Sequence, residues 1–191
     1  CGLKLIDSYS FKFVTKMDES DKFDRISEDA LLTLVQQKTF GYFWEHGHPV
    51  SGLARERLNS GNTVTTGGSG FGVMTLPVAI ERGFITREEG ALRMQTIATF
   101  LAEKAETFHG AFPHWLDGDT GKTIAFSTKD NGADIVETAL LVQGLLAVNE
   151  YFNLDNDIEK DIRSKIKTIW EKVEWDWFLN GTNTMMWHWS P

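Results

Sequence analysis

The chain has 191 residues, a formal charge of −8 and no run of Lys or Arg, which argues against a nucleic-acid partner. Its length allows one domain with a substantial core, and no apolar run approaches the length of a membrane span. The single cysteine excludes an intrachain disulfide framework and a Cys-rich metal site, and seven tryptophans suit stacking surfaces or a large core.

Residues 1–25 read as an N-terminal arm or the end of a preceding β-domain. Residues 1–7 and 11–14 look like short strands, and a charged stretch runs from Lys16 to Arg25. Cys1 permits a lipid anchor of the lipoprotein kind; the alternative is that the sequence merely starts there. A helix follows, with Ser27 as N-cap, Glu28 and Asp29 in its first turn, and Leu31, Leu34, Val35, Tyr42 and Phe43 spaced to face a core. It is expected to stop near Gly47.

Residues 47–70 read as a long polar loop. Within it, Gly67-Gly68-Ser69-Gly70 has the look of a phosphate cradle, but no Lys stands in the Walker position. The segment reads instead as a tight lead into a helix over residues 71–82, with Pro77 kinking that helix or opening its regular part. Thr86 and Glu89 make a capping box for the next helix, which continues through Leu92, Ile97, Leu101 and Ala105. Residues 111–126 read as a hairpin around Asp117-Gly118-Asp119-Thr120-Gly121. That turn lacks the remaining ligands of a calcium loop.

A helix is expected over about residues 132–151, and three acids mark its start: Asp130, Asp134 and Glu137. At 100° per residue they fall within roughly a 60° arc. Leu141, Leu145 and Val148 continue that arc, while Ala139, Val142, Leu146 and Ala147 lie opposite, so the helix reads as buried on both sides. Acids lining such an interior cost free energy unless they are paired or used. Helix capping and a functional role account equally well for Asp130, and Asn131-x-x-Asp134 resembles a weak capping box; Glu137 lies deeper than a cap requires. Residues 156–173 form a further amphipathic helix, and residues 175–191 read as a second, Trp-rich hairpin. His46, His48 and His109 have no metal-ligand spacing, and neither a metal nor a cofactor is expected.

Helices alternating with long loops and hairpins suggest a mainly α fold of the α/α toroid kind. Several motifs resemble the glucoamylase-like glycoside hydrolase family that includes bacterial endo-β-1,2-glucanases. They are His48-Pro49-Val50-Ser51-Gly52 followed by Arg55-Glu56-Arg57, the run Thr65 to Gly72, Glu81 to Ile85, His109 to Trp115, Lys129 to Thr138, and Trp187-His188-Trp189-Ser190-Pro191. The resemblance spans roughly residues 27–191. It implies that residues 26–191 are the first part of an (α/α)6 barrel with β-hairpin insertions, the N-terminal half of a larger enzyme. A further family glutamate would lie downstream.

The resemblance also implies a glucan substrate and a periplasmic or extracellular location, with an outer-membrane lipoprotein as the form if Cys1 is lipid-modified. It places Asp130, Asp134 and Glu137 at the catalytic cleft. His114, Trp115, Trp187, His188 and Trp189 would line that cleft against sugar faces and hydroxyls, the alternative being that the aromatics pack the hairpins on the helices, and Arg55 would bind sugar hydroxyls or make an ion pair with the acids or Glu56. Residues three apart on one helix face sit close together, so Asp134 and Glu137 are expected to share one side of the scissile bond. The alternative function is a carbohydrate-binding or scaffold module without catalysis.

Overall fold

The computed structural model describes residues 10–191. Five α-helices carry the fold: α1 (Glu28–Glu45), α2 (Thr66–Glu81), α3 (Arg87–Glu103), α4 (Ile135–Tyr151) and α5 (Asp157–Glu171). Local chemistry starts most of them. Ser27 accepts from the Ala30 N–H, Thr86 and Glu89 form the expected reciprocal box, and Asn156 accepts from the Glu159 N–H.

The helices alternate between two layers. α2 packs along α4, and α3 packs along α5. Both α2 and α4 are apolar on most faces, whereas α5 carries one apolar stripe of Ile162, Ile166 and Ile169. α2 and α4 therefore form the inner layer, and they run parallel, since Gly67, then Gly70, lie beside Glu137, Leu140 and Gly144 in the same order. At the crossing, a Cβ on Gly70 would strike the Leu140 carbonyl, and one on Gly144 would strike the Gly70 carbonyl. Only glycine lets these two backbones approach so closely. Met94, Phe112, Leu141, Leu145, Val148, Phe152, Ile162 and Ile166 fill the core between the layers.

Short strands tie the loops together. β1 (Thr63–Thr65), β2 (Trp115–Asp117) and β3 (Thr123–Ile124) form an antiparallel sheet in that order, with Val64 opposite Leu116 and Trp115 opposite Ile124. β4 (Ala133–Asp134) pairs antiparallel with β5 (His188–Trp189).

Several expectations are corrected. Residues 11–14 are exposed chain without strand structure. The other expected strand, at residues 1–7, and the anchor at Cys1 lie outside the described residues. Leu31, Leu34 and Val35 of α1 are about half exposed, and Phe40 is the buried residue of that helix. α2 begins at Thr66, five residues earlier than expected, so the glycines lie inside the helix, and it runs on through Pro77. α4 begins at Ile135, after the acids at 130 and 134, and Ala139, Leu146 and Ala147 are exposed rather than buried. The chain end is not a hairpin: Trp175–Leu179 is a 3-10 helix, Asn180 turns left-handed at φ 47°, and β5 finds its partner in β4.

Candidate active site

The N-terminal ends of α2 and α4 converge, and the segment 112–115 straps them together. Thr66 donates its N–H to the His114 carbonyl at 3.2 Å and its hydroxyl to the Pro113 carbonyl at 2.6 Å. Two residues back, the Phe112 carbonyl accepts the Asp134 N–H at 2.9 Å, and the Phe112 N–H donates to Thr138 Oγ1 at 2.8 Å. His114 is thereby delivered between two helix starts, each with a positive dipole end.

Asp134 is the N-cap of α4. Its Oδ1 accepts from the Val136 and Glu137 N–H groups, both at 2.9 Å, and the residue is 0% exposed. Its Oδ2 lies 3.2 Å from His114 Nδ1. Asp130 sits in the preceding turn, where its backbone pairs with Ser127, and its Oδ2 lies 3.2 Å from the same nitrogen. One ring nitrogen carries at most one proton, and only the Asp130 contact has hydrogen-bond geometry. Asp130 Oδ1 and Asp134 Oδ2 are left without a hydrogen-bond donor from the protein. Among the described residues, no Lys or Arg nitrogen lies within 4.0 Å of either acid.

The donor atoms of His114, Asp130 and Asp134 all fall within 4.8 Å of one another, close enough to share a proton or one metal ion. The histidines inspected for metal spacing in the sequence are not part of this set. His48 is buried beside Asn62, and His109 stacks on Trp177 at 3.7 Å.

Glu137 lies one helical turn beyond Asp134 and is half-buried. Its Oε2 accepts the Gly67 N–H from the first turn of α2 at 2.9 Å. The glycine-rich segment thus cradles a carboxylate of the same chain rather than a phosphate.

The remaining expected residues divide. Trp115 meets His114 edge-on at 5.8 Å. Phe126 stacks on the His114 ring at 4.1 Å; sequence reading missed it because it lies 12 positions away, at the far end of a hairpin. His188 sits opposite Asp134 in the β4–β5 register and is exposed, as is Trp187, whose carbonyl accepts the Ile135 N–H at 3.0 Å. Trp189 turns the other way and packs with Phe108, His109 and Trp177 in a second apolar cluster around Phe178. Arg55 is not with the acids. Its guanidinium donates to the His46 carbonyl at 3.1 Å and to the Gly61 carbonyl, which braces the loop.

Two parallel inner helices backed by outer ones, with acids at the shared N-terminal end of the inner layer, make a mainly helical fold of the glucoamylase-like (α/α)6 kind seen in its structural neighbours. Over most of its own length the chain is similar to glucoamylase-like proteins, bacterial β-1,2-glucanases among them. It is 51% identical over 170 residues to the exo beta-1,2-glucooligosaccharide sophorohydrolase (non-reducing end) of Parabacteroides distasonis, a match over 87% of this chain and 23% of that protein. The endo-beta-1,2-glucanase of Chitinophaga pinensis, solved with sophorotriose and glucose, superposes with a TM-score of 0.83 at 50% identity, over 87% of this chain and 42% of that one. A glucoamylase-like protein of Bacteroides uniformis gives a TM-score of 0.86 at 54% identity, over 88% of this chain and 42% of that one. The chain therefore spans less than half the length of each of these relatives. No family model matches it.

Proposed function

We propose that residues 26–191 are the first part of an (α/α)6 hydrolase domain and carry the acid-bearing side of an active site that cleaves β-1,2-linked glucan. The observation behind this reading is the cluster of Asp130, Asp134, Glu137 and His114 where α2 and α4 begin, in a chain half identical to an endo-beta-1,2-glucanase solved with sophorotriose.

Glycoside hydrolysis needs one group to protonate the leaving oxygen and a carboxylate to activate water or attack carbon. Asp134 is fully enclosed and holds two backbone N–H groups, so its part is to fix the start of α4, with its other oxygen facing His114. Asp130 completes the clamp on His114. Glu137 is the most accessible of the three acids, and one of its oxygens is already fixed by α2. We assign it as the acid/base group that meets the glycosidic oxygen or the water. Asp134 and Glu137 rise from one side of the cleft, so the facing carboxylate comes from elsewhere in the longer fold of the relatives. Trp115, Trp187 and His188 lie near the acids and suit sugar faces and hydroxyls.

Release of reducing sugar from β-1,2-glucan by the full-length protein tests this reading. Glu137→Gln is expected to lower kcat by about 100-fold or more. Full activity in that variant overturns the assignment. Glucan binding without any turnover by the wild type would favour a binding module instead.

A further inference from the structure

We propose that Gly67 is a positioning residue for Glu137: by having no side chain, it lets the first turn of α2 take hold of that carboxylate. The inference rests on the reading of Glu137 as the reacting acid.

Gly67 stands inside a helix, where glycine is a poor choice. Turn geometry does not demand it, since Gly67 is not among the glycines with positive φ. Close backbone packing does not demand it either. A Cβ on Gly70 or Gly144 would strike main-chain atoms, which cannot yield without parting the helices. The three atoms nearest a Cβ built on Gly67 all belong to side chains: it falls on Glu137 Oε2, with Glu137 Cδ at 3.0 Å and Leu140 Cδ1 at 3.2 Å. The fold can accept a methyl group there, and what gives way is the carboxylate.

The bond that would be lost is specific. Glu137 Oε2 accepts the Gly67 N–H at 2.9 Å, and Thr66, the residue before, is tied to the strap that carries His114. Glu137 and His114 are thus registered to the same turn of α2. A methyl group at position 67 breaks that registration for Glu137 and leaves His114, Asp130 and Asp134 in place. A carboxylate moved by about 1 Å loses on the order of 100-fold in rate. Ground-state binding of the sugar, assigned to Trp115, Trp187 and His188, is expected to change little.

The test is Gly67→Ala in the full-length protein, with kcat and KM measured on β-1,2-gluco-oligosaccharides and melting temperature measured in parallel. The expected result is a fall in kcat of about 100-fold, KM within about 3-fold of wild type, and a melting temperature unchanged or raised, because alanine suits a helix better than glycine. In a Glu137→Gln background, Gly67→Ala should cost no further activity, since both changes act through one group.

Full kcat in Gly67→Ala beside an inactive Glu137→Gln overturns the inference and leaves the function standing. So does a loss that merely tracks a lowered melting temperature, or one that repeats in full in the Glu137→Gln background. A wild type without turnover, or a fully active Glu137→Gln, overturns the function and the inference with it.

Discussion

Asp134 does two jobs with its two oxygens, and they can be separated by substitution. Oδ1 caps α4 and Oδ2 faces His114. Asp134→Asn keeps a capping oxygen but removes the charge, so its melting temperature should stay near wild type while activity on β-1,2-glucan falls. Asp134→Ala removes both and should cost about 1–2 kcal/mol more in unfolding free energy. Equal stability of the two variants by chemical denaturation would show that the cap contributes nothing. In the sequence the three acids stood out as an excess over what capping needs. Their arrangement did not. The 100° rule presumes one continuous helix, whereas Asp130 lies in a turn and Asp134 adopts an extended backbone ahead of α4. His114 reaches them by a path no local periodicity encodes.

At the scale of elements, the outer helices α3 and α5 are joined by Arg87, which donates to both carboxylate oxygens of Glu159 at 2.9 Å and to the Tyr151 carbonyl at 2.7 Å. The guanidinium holds the buried Glu159 carboxyl below the usual carboxylate range. A carboxyl with a depressed folded value adds stability above its unfolded value, about 4.3, and that stability is lost as pH falls through the lower folded value. Arg87→Met strands the Glu159 charge and should cost on the order of 3 kcal/mol at neutral pH. The gap between wild type and variant should narrow as pH falls below the unfolded value of about 4.3 and through the lowered folded value; denaturant midpoints across acid pH measure it, and a constant gap would refute the pairing.

The inner pair α2 and α4 offers a contrasting test. Gly144→Ala pushes a methyl group onto the Gly70 carbonyl. It should destabilise by about 1–3 kcal/mol or more, whereas Gly67→Ala should not. Helix starts at Ser27 and Thr86 were legible because a cap is chemistry between near neighbours. The start of α2 was not, because its first N–H is satisfied by His114, far along the chain.

Over the whole molecule, apolar surface is left uncovered among the described residues. Leu31, Leu32, Leu34 and Val35 on α1 are exposed, as are Phe71, Met74 and Val78 on α2. Patches of this kind mark surfaces that other protein covers. Residues 26–191 prepared alone should therefore associate, and light scattering on a size-exclusion column would show it; a monodisperse monomer would count against the reading. No helix among the described residues is long and apolar enough to cross a membrane.

What the sequence by itself determined is the alternation of helices and loops, most of the caps, the hairpin at residues 115–124 and the identity of the acids. Each of these follows from propensity, spacing or hydrogen bonds over a few positions, and the ordered set of motifs pointed to the family. Only the tertiary structure decided which acid is enclosed and which is open, that His114 clamps two of them, that Trp189 faces a core and that Gly67 makes room for Glu137. Those outcomes depend on the approach of two inner helices and the strap across their ends. Contacts over 70 positions, such as that of Gly67 with Glu137, leave no periodic trace in the chain.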